Sequence, residues 1–78
     1  MPRFYMNIRN GGEFVEDQEG EEFSSLVEAR TEAVLVAREL MGARVASGRQ
    51  PNHSSFEIVD EAGRLVLTMP FAEAIDGA

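Results

Sequence analysis

The chain has 78 residues, 44% hydrophobic and 27% charged, with 14 acidic residues against 7 basic ones, all arginine, for a net charge of -7. Such a length predicts one domain over residues 1–78 that buries roughly 60 to 65% of the surface its unfolded form exposes, and the composition is that of a globular protein. The charge has the wrong sign for neutralising phosphates, which argues against nucleic acid and anionic membranes, and the lack of Cys removes disulfides, thiolate zinc sites and a cysteine nucleophile.

A cysteine-free sequence suits a reducing cytoplasm, and that is the expected location. Met1-Pro2-Arg3 leads straight into Phe4-Tyr5-Met6 without the apolar segment of a secretory signal. No apolar run approaches the roughly 18 residues of a membrane span.

From Arg3 to Arg9 the sequence reads as a strand, with Phe4, Met6 and Ile8 on one face and Tyr5, Asn7 and Arg9 on the other. Asn10-Gly11-Gly12 tolerates positive φ, and Phe14-Val15-Glu16 resumes an extended pattern, which predicts a hairpin. A three-residue loop pairs Ile8 with Phe14 and Arg9 with Glu13, apolar with apolar and charge with opposite charge. Asp17-Gln18-Glu19-Gly20 places Asp and Gly at the first and fourth positions of a type I turn, and Glu21-Glu22-Phe23 carries the chain toward a helix.

That helix is predicted from Ser24 to about Ser47. Ser25 followed by Glu28 is a capping-box pattern, and Glu28 lies near the positive end of the helix dipole. Gly42 offers a possible stop, but Ala43, Val45 and Ala46 continue the apolar spacing. Gly48 to Ser55 reads as a loop, Phe56 to Val59 as a strand, and Asp60-Glu61-Ala62-Gly63 as a second type I turn. Leu65 to Met69, apolar on both faces, is a candidate for an inner strand. Pro70 ends it, and Phe71 to Ile75 reads as a short helical turn packing back on the body.

The order ββαββ predicts an α+β fold: a two-layer sandwich with a four-stranded, mainly antiparallel sheet, one long helix across one face and a short C-terminal helical turn. On the helical wheel Leu26, Ala29, Ala33, Val36, Ala37 and Leu40 share the arc expected to face the sheet, with Glu28, Glu32 and Glu39 opposite. A second apolar strip, Val27, Val34 and Met41 with Val45 beside them, exceeds what one sheet face needs. It is either core beneath the C-terminal turn or a candidate interface for self-association or a partner. No Glu and Arg stand four residues apart along the helix, so burial must hold it.

Residues for chemistry are sparse. His53 adjoins Ser54 and Ser55, yet adjacency in sequence does not make a base and nucleophile pair, which needs reach in space and a third, orienting group. One His and no Cys cannot build a structural zinc site. The acidic run around Gly20 does not follow EF-hand spacing, and Gly11-Gly12 lacks the context of a phosphate-binding loop. No enzymatic activity, metal or cofactor is expected, and no small-molecule ligand.

The segments PRFYMNIRNGGEF, EDQEGEEFSSLVEARTEAVLVAREL and FEIVDEAGRLVLTMPFAEAI together resemble a family of short bacterial proteins catalogued as a domain of unknown function. Members of that family often read Tyr-Tyr-Phe-His-x-Arg at the start, where this chain has Phe4-Tyr5-Met6-Asn7-Ile8-Arg9; Asn7 in place of His argues against acid–base work at that position. The resemblance implies no activity, substrate or site residues. A fold-level likeness to HicB-type antitoxins rests on short strands, an acidic Gly turn and a helix opening similar to Glu28-Ala29. It implies a small basic protein as partner. The expected function is therefore a noncatalytic protein-interaction module that forms a homodimer or docks on a protein partner, the alternative being an antitoxin-like acidic module for a basic protein.

Overall fold

A computed structural model of the chain describes residues 1–46, 48 and 53–75. The elements in order are β1 (Arg3–Asn10), β2 (Glu13–Val15), β3 (Glu21–Glu22), α1 (Leu26–Ala46), β4 (Ser55–Val59), β5 (Leu65–Pro70) and α2 (Ala72–Ile75). The protein is α+β, with an antiparallel sheet on one side of the long helix and a short helix at the C-terminal end.

The sheet runs β2-β1-β4-β5, and β3 also pairs with β1, making five strands where four were expected. The extra strand comes from a split edge. β2 pairs with Ile8 to Asn10 of β1 and β3 with Arg3 and Phe4, and the chain between them turns away around Asp17. Long β1 and strongly alternating β4 take the inner positions, whereas β5, expected inside, is an outer strand. Its apolar character reflects a core-facing side and an open sheet edge, and a bulge opposite Ile58 and Val59 shifts its register.

The first hairpin also differs from expectation. Asn10 pairs with Glu13, Arg9 with Phe14 and Ile8 with Val15, so the loop is the pair Gly11-Gly12. Gly11 adopts a φ of 62°, the first-position geometry of a tight turn whose twist matches the strands. Arg9 therefore does not face Glu13. Its guanidinium lies 4.5 Å from the Phe14 ring centroid, and its Nε contacts Glu57 Oε2 on β4 at 3.2 Å. The shorter loop sets Phe14 opposite Arg9, where its ring face meets the guanidinium.

α1 starts as the sequence predicts. Glu28 N–H donates to Ser25 Oγ at 3.3 Å, and Glu28 Oε2 accepts from Ser24 N–H at 3.4 Å, one residue before the position of a standard capping box. The helix passes through Gly42 to Ala46; the expected end at Ser47 lies outside the described residues, as does much of the loop read from Gly48 to Ser55. Ala29, Ala33 and Ala37 are fully buried, the small face that lets helix and sheet backbones approach closely. Phe4, Phe23, Phe56, Ile58, Met69 and Phe71 complete the interior, with Phe56 and Phe71 rings 4.8 Å apart. Leu40, expected to face the sheet, is 40% exposed. The buried arc has instead turned toward α2, which packs on α1 and accepts a hydrogen bond from Arg38 Nε at Ala74 O, 2.7 Å away.

Candidate functional site

Three surfaces compete for a functional role: the second strip of the helix, a cleft on the sheet face away from the helix, and the sheet edges. The strip resolves into unlike parts. Val34 and Met41 are 8% and 2% exposed and belong to the core, while Val27 is 74% exposed. Val45 lies in the last helical turns, and its side chain is outside the described residues. Two of the four residues assigned to an interface are thus core residues of their own chain, because the C-terminal turn with Phe71 and Ala74 covers that flank. Of the three whose side chains are described, Val27 is the exposed one.

The cleft occupies the outer sheet face. It has a volume of about 320 Å³ and is lined by Tyr5, Asn7, Glu16, Asp17, Gln18, Val59, Asp60, Glu61 and Gly63. Two Asp turns frame it. In the first, Asp17 Oδ1 accepts from the N–H groups of Glu19 and Gly20 at 3.3 and 3.0 Å, and Asp17 Oδ2 accepts from Met6 N–H at 3.0 Å. Asp17 N–H in turn donates to Asn7 Oδ1 at 2.8 Å. The Asp17 carboxylate thereby fills the gap between β2 and β3, giving Met6 the acceptor that a continuous neighbouring strand would have supplied. Asn7, only 7% exposed, holds this turn in place, a structural duty that sequence spacing did not reveal. Its signal was a short polar residue on the outer face of β1, ten positions before an Asp-x-x-Gly turn.

The second turn joins β4 to β5. Asp60 Oδ1 accepts from Ala62 and Arg64 N–H groups at 2.9 and 3.0 Å, and Asp60 Oδ2 meets Arg64 Nε at 3.0 Å. The Arg64 N–H above all, and then the Ala62 N–H and the Arg64 guanidinium, hold the Asp60 carboxyl below its ordinary value, with partial desolvation opposing them. Asp17 therefore spends both carboxylate oxygens on backbone N–H groups, whereas Asp60 spends Oδ1 on backbone N–H groups and Oδ2 on the Arg64 guanidinium. Glu61 Oε1 accepts from Arg3 N–H at 3.3 Å, so the groups left to meet a ligand in the cleft are Glu16, Gln18, the Tyr5 ring and the second Glu61 oxygen, a surface suited to a cationic group. Among the described residues, no three His, Asp or Glu side chains gather to hold a metal ion. His53 is exposed and Ser54 buried.

The two sheet edges differ in kind. The β2–β3 edge is short, split and acidic, carrying Glu13, Glu21 and Glu22. β5 contains no charged residue across Leu65–Pro70. Ladder alternation fixes which of its backbone groups are free: Phe71 N–H donates to Ser54 O at 2.9 Å, so Met69 and Leu67 point their peptide groups at β4, and Thr68 points its N–H and C=O outward. Pro70 follows in the same outward phase, offering a carbonyl without an N–H. The sequence signal for this edge is the uncharged run closed by a proline.

With the geometry in view, comparison with protein families is decisive on one point. The profile described as a domain of unknown function, DUF6894, matches residues 3–72. The chain belongs to this family. The match spans both Asp turns, the whole of α1 and β5, so the cleft and the open edge both lie within the matched length. No curated protein and no solved structure matches the chain. Among the described residues, no helix is long and apolar enough to cross a membrane.

Proposed function

We propose that this protein is a noncatalytic protein-interaction module that engages a protein partner through the free edge of β5. The observation that supports it most is the uncharged outer strand Leu65–Pro70, with Leu65 59% exposed, Thr68 and Pro70 exposed and the Thr68 peptide group directed outward. Soluble proteins normally blunt such edges with charge, and an added strand turns the free peptide groups into affinity while side chains on alternate faces set specificity. The reading places the module in the cytoplasm, with no cofactor and with protein rather than nucleic acid or membrane as its partner. Amide hydrogen exchange of the dilute, isotope-labelled chain, alone and in extract of its host, tests it. Slowed exchange at Thr68 in extract is expected; unchanged exchange along all of β5 sinks the reading.

A second reading, an acidic module for a basic protein, is favoured by the carboxylate-lined cleft beside Tyr5. It predicts binding of an Arg-rich peptide that weakens with salt and with Glu16→Gln plus Glu61→Gln. Strand addition along β5 is less sensitive to salt, which separates the two.

A further inference from the structure

We infer that the occupant of the β5 edge is a second copy of this chain, paired antiparallel about a two-fold axis at Thr68; the inference rests on the edge-docking reading above. Three features single out a copy over an unrelated strand. The first is the array of backbone groups. Thr68 offers one N–H and one C=O, which a two-fold axis matches to the same groups of the partner in a reciprocal pair. Pro70 offers only a carbonyl, so the strand opposite it must make no demand for a donor there; the axis places Val66 at that position, the residue at the β5 bulge where regular pairing ends.

The second is charge. The uncharged strand is preceded by Arg64, whose side chain is 78% exposed, and followed by Glu73 in the first turn of α2. Antiparallel pairing brings Arg64 of each copy toward Glu73 of the other, whereas parallel pairing would set like against like. Although the whole chain carries a net charge of -7, the contact region is neutral and its ends are complementary. The third is apolar cover. Leu65 pairs with Val59 and so lies on the outer face, 59% exposed. The two-fold register sets it diagonally beside the exposed Pro70 of the partner, giving that exposed leucine a surface to meet. The bulge at one end and Pro70 at the other confine pairing to this short segment, which favours a closed dimer over open-ended stacking.

The test uses the full chain and charge exchange at the axis. Thr68 is exposed and lies opposite Glu57, so both Thr68→Lys and Thr68→Glu should fold, the glutamate variant melting below the lysine one because it sets two carboxylates across β4 and β5. Sedimentation equilibrium of the wild type should show a concentration-dependent dimer. Each variant places two like charges across the axis and should dimerise roughly tenfold more weakly or not at all. An equimolar mixture of the two should recover dimer as a Lys–Glu heterodimer, visible by native mass spectrometry. A check independent of variants is the wild-type Thr68 amide, whose exchange should slow as concentration rises. A wild type that stays monomeric at millimolar concentration overturns the inference, as does a dimer that both variants leave unchanged. If the monomer's Thr68 amide is nevertheless protected in host extract, the edge-docking reading stands and only the second copy is lost; if it is protected nowhere, both fall.

Discussion

The two edges of this sheet meet the same physical problem, a row of peptide groups with no neighbour, and answer it in opposite ways. On the β1 side a side chain substitutes for a strand: Asp17 accepts from Met6 N–H where β2 has ended and β3 has not begun, and glutamates line what remains. On the β5 side the outward peptide of Thr68 has no strand beside it among the described residues, with apolar residues around it and a proline at the end. One edge is closed by local chemistry, and the other is left available. That contrast says more about function than either the helix strip or the lone histidine, because closing an edge takes specific residues, and here they are spent on one side only.

The closed edge depends most on Gly20. Its φ is 67°, and a Cβ added there would lie 2.7 Å from Tyr5 Cε2 and 2.9 Å from Phe4 O. Gly20→Ala therefore combines a left-handed backbone with overpacking against a strand that cannot move, and should cost about 3 kcal/mol. Gly63, in the turn leading into β5, shares the conformation with a φ of 80° but would meet nothing within 4 Å. Gly63→Ala should cost only about 1 kcal/mol. Urea denaturation of both variants measures the difference, which isolates the packing of the Asp17 turn on Tyr5. Equal losses would mean that the closed edge is held by its turn conformation alone.

The next effect comes from Asp17 itself. Asp17→Ala removes the acceptor for Met6 N–H and for the Glu19 and Gly20 N–H groups, and should destabilise by about 2 kcal/mol, since water reaches the turn but only part of the β1 edge. Amide exchange should localise the loss to Met6 and Gly20, with Thr68 unaffected. Matching acceleration at Thr68 would show that the two edges do not behave as separate units.

How much of this was legible follows from where the determining interactions lie. The capping of α1 by Ser25 and Glu28, the alanine face at Ala29, Ala33 and Ala37, and both Asp-x-x-Gly turns are local, set by residues within four positions of one another, and each could be read from spacing. The hairpin register was not, because two- and three-residue loops are both compatible with Asn10-Gly11-Gly12, and Arg9 meets the Phe14 ring rather than Glu13. The fifth strand was missed because it exists only through the gap that Asp17 fills. Periodicity placed Val34 and Met41 on a separate strip, and only the docking of Phe71 and Ala74 on that flank makes them core. Apolar character in Leu65 to Met69 has two causes, an inner position or an uncharged edge, and sequence alone does not separate them. The contrast between the edges, from which the candidate site derives, is tertiary throughout.

The smallest expected effect lies in the turn that delivers the open edge. Asp60 is held below its ordinary value chiefly by the Arg64 N–H, with the Ala62 N–H and the Arg64 guanidinium adding to it. Because the folded carboxyl is the stronger acid, its contribution is fully present above the unfolded pKa and is lost as pH falls through the folded one. Asp60→Asn should therefore be slightly less stable than the wild type at neutral pH, and the difference should shrink on acidification below the ordinary carboxylate range. The Arg64 side chain is 78% exposed, so its ion pair is solvent-screened and weak; Arg64→Gln should leave most of the Asp60 shift in an NMR titration, since the backbone N–H groups remain. If Arg64→Gln instead returns Asp60 to its ordinary value, the guanidinium is what fixes the turn. Drawing Arg64 toward a partner's Glu73 would then loosen the entry to β5, and dimerisation through that edge would carry a conformational cost that the closed edge, with Asp17 bound wholly to N–H groups, never meets.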